Sequence, residues 1–112
     1  MLAAISDISQ LPHDGIIYFW ADWSPSTAAM DAVASALKAK HTTLTILKCE
    51  AEAFPELSSK FNVEVVPTFV FIRGGAVLSR VDGANPPEIA RQVHMYRQGA
   101  CLARFMIIAL LD

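Results

Sequence analysis

Two hydroxyls three positions apart, Ser24 and Thr27, follow the apolar run Ile16-Ile17-Tyr18-Phe19-Trp20 and the corner Ala21-Asp22-Trp23. At a helix start such hydroxyls have two uses. They can cap free backbone N–H groups, or attack as nucleophiles when a neighbouring base takes the proton. The imidazoles that would serve as bases are His13, His41 and His94. Disulfide exchange needs a thiolate and a second sulfur. The two cysteines, Cys49 and Cys101, are too few for a disulfide scaffold and lack metal-ligand spacing. Cys49 ends a β-rich run and reads as inert core rather than a reactive thiol.

The elements that must position these groups follow from periodicity. Ile16 to Trp20 is short, β-branched or aromatic and uncharged, the pattern of a strand buried on both faces. Ser24 suits an N-cap and Pro25 the first helical position, where its missing N–H costs nothing. Met30, Val33 and Leu37, with Ala29 and Ala36 beside them, predict a helix from about Ser26 to Lys40. After His41-Thr42, the run Thr43 to Cys49 reads as a second strand, and a helix between two strands implies a right-handed parallel crossover. Lys48 reads as a strand-end lysine with its head in water. Pro55 starts a short helix from Phe54 or Pro55 to Phe61, with Leu57 and Phe61 facing inward.

Further along, Phe69-Val70-Phe71-Ile72 reads as a buried strand, and Gly74-Gly75 as a two-residue hairpin turn pairing 68–72 with 76–81. Asp82-Gly83-Ala84-Asn85 is a loop. Asn85 caps a last helix begun by Pro86, with Ile89, Val93 and Tyr96 as its buried stripe. At the N-terminus, Leu2 to Ile5 reads as a short edge strand, Ser6 as the cap of a brief helix through Leu11, and Pro12-His13-Asp14-Gly15 as a turn.

Composition excludes several classes. The chain has 112 residues, enough for a single core, with 54% hydrophobic and 18% charged residues, so it is globular rather than disordered. The formal net charge is -2 with no basic stripe, which argues against nucleic acid as a partner. No stretch reaches the roughly 18–20 apolar residues of a membrane span, so no membrane partner is expected. Met1-Leu2-Ala3-Ala4-Ile5 lacks a basic leader and a full apolar core, so the expected compartment is cytoplasmic, with the nucleus as an extension of it.

The corner Phe19-Trp20-Ala21-Asp22-Trp23 resembles the active-site corner of the thioredoxin superfamily, whose pattern is Phe-Trp-Ala-x-Trp-Cys-x-x-Cys. Here Ser24 and Thr27 occupy the two cysteine positions, and Tyr18 stands where thioredoxins keep a buried aspartate as proton acceptor. The resemblance implies a thioredoxin fold: an α/β domain over residues 1–98 with a central mixed sheet of four to five strands, flanked by helices on both faces. Residues 99–112 form an extension without a family counterpart. Its apolar run, 100–111, is open to three uses: prolonging the last helix, self-association, or marking the cut end of a longer product. The resemblance also implies a cis bond at Val66-Pro67, with the Val66 backbone offered to an extended peptide, and makes Gly83-Ala84 a third peptide-contacting loop.

Within the superfamily, the chain resembles the N-terminal thioredoxin-like domain of multidomain monothiol glutaredoxins of the PICOT type. The features are Trp23 with a non-cysteine and Pro25 after it, the stretch Leu47-Lys48-Cys49-Glu50-Ala51-Glu52, and Val81-Asp82-Gly83-Ala84 before a proline-started helix. The family is one of thiol–disulfide oxidoreductases, yet with both cysteine positions replaced the expectation is a non-catalytic module. It would dock protein partners through Trp23, Ser24, Pro25, Val66, Pro67, Gly83 and Ala84. Glutathione and a bridging 2Fe–2S cluster are implied only for a Cys-Gly-Phe-Ser glutaredoxin domain, a motif this sequence does not contain. The rival expectations are an oxidoreductase using Cys49 or Cys101, and a stand-alone dimerisation module. A hydrolytic Ser24 is disfavoured, because the fold implied by the resemblance places none of His13, His41 or His94 at the corner.

Overall fold

Period-two alternation along two buried strands organises the molecule. The structure, a computed structural model, describes residues 3–97. In chain order the elements are β1 (Ala3–Ala4), a 3-10 turn (Ile8–Gln10), β2 (Gly15–Trp20), α1 (Thr27–Lys40), β3 (Ile46–Glu50) and α2 (Pro55–Lys60), followed by β4 (Thr68–Arg73) and β5 (Ala76–Asp82). A last helix, α3, runs over 86–97. They form an α/β thioredoxin fold whose mixed five-stranded sheet has the order β1-β3-β2-β4-β5. β1, β3 and β2 are parallel, and β4 and β5 run antiparallel to them as a hairpin. Gly74 and Gly75 both take positive φ (63° and 76°), which this two-residue turn requires.

Ile16 and Tyr18 face one side of the sheet with Phe69 and Phe71, and join Met30 and Ala34 of α1 with Ile89, Val93 and Tyr96 of α3. Ile17 and Phe19 face the other side with Val70 and Ile72, and join Leu57, Phe61 and Cys49. Helices therefore flank both faces, α1 and α3 on one and α2 on the other. The Tyr18 ring is stacked on Phe69 at 4.8 Å between centroids.

Some boundaries differ from the sequence expectation, each for a local reason. The buried stripe of α1 uses Ala34, four residues after Met30, while Ala29 and Ala36 face solvent. β3 begins at Ile46 rather than Thr43, because Leu44 N–H donates to His41 O at 3.0 Å and the Lys38 ammonium donates to Thr42 O at 3.2 Å, holding 41–44 as a turn. Asp7, not Ser6, caps the N-terminal turn, accepting from Ser9 N–H at 3.5 Å. Asn85 caps α3 as expected, its side chain accepting from Glu88 N–H at 3.3 Å. The extension over 99–112, with Cys101 and the self-association expectation, lies outside the described residues.

Tyr18 separates packing from polarity. Its ring is fully buried, while its hydroxyl makes one long bond, 3.4 Å to Thr27 O. Tyr18→Ala is expected to cost about 3–5 kcal/mol in urea unfolding. Tyr18→Phe is expected to cost about 1 kcal/mol or less.

Candidate functional site

The chain leaves β2 at Trp20 and reverses through residues 21–26 before α1. Ser24 N–H donates to Ala21 O and Thr27 N–H to Ser24 O, each at 3.1 Å, so two turns follow one another directly. These turns move the helix start two residues beyond expectation. Ser26 is the N-cap, its carbonyl accepting Met30 N–H at 2.9 Å, while Ser24 and Pro25 precede the helix. Ser24 is therefore not the cap, and Pro25 is not the first helical residue.

Both hydroxyls at the former cysteine positions are engaged internally. Thr27 Oγ1 donates to Ala21 O at 2.6 Å, and Ser24 Oγ lies 3.3 Å from Ser26 Oγ with Ser24 only 7% exposed. Beneath them, burial and then neighbouring Asp31 push the Tyr18 phenol far above its ordinary value, so it stays neutral and serves no base. The imidazoles are elsewhere. His41 closes the far end of α1, about 21 Å along a 14-residue helix. Burial first, then the charges of Arg97, Lys40 and His94, hold His41 below its ordinary value. His13 is exposed before β2 begins, its carbonyl accepting Gly75 N–H at 2.9 Å. Among the described residues no imidazole is hydrogen-bonded to the hydroxyl of Ser24 or Thr27.

What the corner presents is a surface. Trp23 is 65% exposed, and its indole N–H donates to the Glu52 carboxylate. Glu52 is brought there by the loop after β3, where Ala51 N–H donates to Trp20 O at 2.8 Å and Glu52 N–H donates to the Glu50 carboxylate at 3.2 Å. Trp23 shares a pocket of about 210 Å³ with Val65, Val66, Glu52 and Glu64. The Val66–Pro67 bond is cis. Pro67 O accepts Gly83 N–H at 2.7 Å, and Gly83 has φ +93°, a conformation that side-chain-bearing residues rarely adopt. Thr68, fully buried, keeps its hydroxyl 2.7 Å from Val65 O and 3.1 Å from Asp82 Oδ1, fastening the 62–67 loop to β5.

Of the residues singled out from the sequence, Trp23 and Val66 share a pocket and Pro67 is bonded to Gly83, with exposed Ala84 following. Ser24 is buried at the corner and Pro25 exposed. Sequence reasoning missed Glu52, Glu64 and Val65. The acidic composition of 50–56 was visible, but nothing in it marked Glu52 as the partner of Trp23.

Cys49 is 1% exposed, and burial, then adjacent Glu50, push its thiol up to about 11. At pH 8 its thiolate is then on the order of a thousandth of the total. Lys48 extends over the Trp20 ring, 5.6 Å from its centroid, and stands at the middle of β3 rather than at a strand end. Among the described residues no three potential metal ligands cluster.

The thioredoxin family model matches residues 5–95. Bovine glutaredoxin-3 is 38% identical over 81 residues, covering 72% of this chain and 24% of that protein. Zebrafish (Danio rerio) glutaredoxin 3 is 38% identical over 84 residues, covering 75% and 26%. Monothiol glutaredoxin-S17 of Arabidopsis thaliana is 32% identical over 91 residues, covering 81% and 19%. The chain thus spans between about a sixth and a third of the curated relatives it matches. Among solved structures, Plasmodium falciparum thioredoxin superposes with a TM-score of 0.79 at 18% identity, covering 86% of this chain and 99% of that one. Mitochondrial thioredoxin 3 of Saccharomyces cerevisiae gives 0.77 at 19%, covering 83% and 93%. At these identities the two structures speak for the fold alone.

Two measurements check the corner and the thiol. Thr27→Val is expected to lower stability by about 1 kcal/mol, with Thr27→Ser retaining most of it, in matched urea melts. Site-resolved peptide mapping after iodoacetamide at pH 8 should find Cys49 unmodified in the folded chain and fully modified in denaturant.

Proposed function

Because the chain belongs to the thioredoxin family and is related to the N-terminal thioredoxin-like domains of monothiol glutaredoxins, we propose that it is a redox-silent docking module of such a protein. It binds protein partners through Trp23, the Val66-Pro67 segment and Gly83-Ala84. The observation that carries this reading is the contrast at the corner. Both former cysteine positions hold hydroxyls with internal partners, while the neighbouring indole stands 65% exposed. An exposed, hydrogen-bonded aromatic beside a pocket is the kind of group that anchors a partner. Val66 adds a second support. Its N–H and C=O make no backbone hydrogen bond among the described residues, leaving a donor and an acceptor for main-chain pairing with an extended segment.

In this reading the module positions and targets, and any glutathione or 2Fe–2S chemistry serving iron handling and redox homeostasis rests with a glutaredoxin domain elsewhere in a longer product. The alternative, disulfide exchange through Cys49, is opposed by the burial of that thiol and by its raised pKa.

The test pairs chemistry with capture. In an insulin-reduction assay the chain should match the uncatalysed rate, and alkylation under denaturing conditions followed by refolding should change nothing. Trp23→Ala should retain the fold by circular dichroism yet lose most partner capture from native-source extract. Turnover that disappears when Cys49 or Cys101 is blocked, or capture indifferent to Trp23→Ala, would overturn the reading.

A further inference from the structure

Three adjoining cavities run along α2. The pocket at Trp23 continues into one of about 460 Å³ that shares Glu52, Ser58, Val63 and Glu64 with it. That cavity in turn meets a third, of about 240 Å³, at Pro55, where Ile8, Phe54 and Leu57 supply apolar wall. The charged side chains that line the cavities carry one sign, while Lys60 of α2 and Arg80, bonded to Asn62 O, lie outside the lining. Glu52 and Glu64 line the first two cavities, Asp7 and Glu56 the third, and no lysine or arginine lines any of them. Among the described residues none of these four carboxylates is in an ion pair, since the pairs present are His13–Asp14, Arg80–Asp82 and Arg91–Glu88. Glu52 uses one oxygen on the Trp23 indole and keeps the other free.

Resting on the docking reading above, we propose that the partner segment is basic: an extended stretch of another protein that alternates lysine or arginine with apolar side chains. Its apolar residues seat against Trp23 and Val65, both exposed, and its cations lie over Glu52 and Glu64 and onward toward Glu56 and Asp7. Alternation follows from extended geometry, because successive side chains point to opposite sides. Charge complementarity then selects this partner among segments of equal apolar content, chiefly by faster association and with strong salt dependence.

The probes are three nine-residue capped peptides, labelled with fluorescein, that alternate valine with lysine, serine or glutamate. Fluorescence anisotropy with the full chain should rank lysine above serine by about fivefold at low salt, as two solvent-exposed ion pairs provide. Glutamate should rank below serine. The double variant Glu52→Gln/Glu64→Gln keeps an acceptor for the Trp23 indole while removing both charges. It should bring the lysine and serine peptides to equal affinity. Equal binding of the lysine and serine peptides, a preference that survives the double variant, or no binding of any peptide overturns the proposal. Serine-peptide binding that is lost in Trp23→Ala would leave the docking reading standing in the first two cases. Partner capture by the unmodified chain decides that reading separately in the third.

Discussion

Strand β2 is hydrogen-bonded on both edges, to β3 on one side and β4 on the other, and buried on both faces. That double burial is the constraint from which the rest of the molecule follows. Ile16 and Tyr18 commit one face to α1 and α3, and Ile17 and Phe19 commit the other to α2. A one-residue slip would exchange these sets, so register and layer order are fixed together. The end of β2 is therefore a fixed point, and the reversal at 21–26 is delivered to one place with α1 starting immediately after it. Ala51 N–H, bonded to Trp20 O, brings the acidic loop after β3 to that same place.

The corner keeps the family's geometry while its chemistry has been replaced. A helix start favours an anion such as a thiolate, yet Ser24 and Thr27 supply hydroxyls that stay protonated. Each has been drawn into local bonding: Thr27 closes back on Ala21, and Ser24 lies against Ser26. Tyr18 lies beneath them in the core, its ring stacked on Phe69. Ser24, Thr27 and Tyr18 thus all serve packing and local bonding at the corner.

Beside these internally bonded hydroxyls, the exposed features near the corner stand out by contrast. Trp23 is oriented by Glu52 rather than left loose, which in the proposed docking role reduces the conformational entropy a partner must remove on binding. The Thr68 hydroxyl and the Gly83–Pro67 bond hold the 62–67 loop and the 83–84 loop beside each other. A rigid frame of this kind suits recognition by shape and charge, and the carboxylates along α2 give that frame a single sign.

The elements were legible in the residues, and the resemblance of the corner to thioredoxins implied how they assemble. Uniformly apolar strands, the Gly74-Gly75 turn, and proline-started helices at Pro55 and Pro86 are local signals whose physics acts over a few residues. The loss of the cysteine pair was equally legible, because it is a matter of residue identity. Tertiary structure decided what depends on distance across the chain. Helix α1 starts at Thr27 because turns closed by Ser24 and Thr27 compete with capping. Ala34 rather than Ala29 or Ala36 is buried because packing, not spacing alone, selects the stripe. Trp23 and Glu52, 29 residues apart, form one site only after β2 and β3 pair in parallel. The acidic track along α2 exists for the same reason: its carboxylates lie at 7, 52, 56 and 64, with no periodicity to announce them, and only the folded chain sets them along one line of cavities.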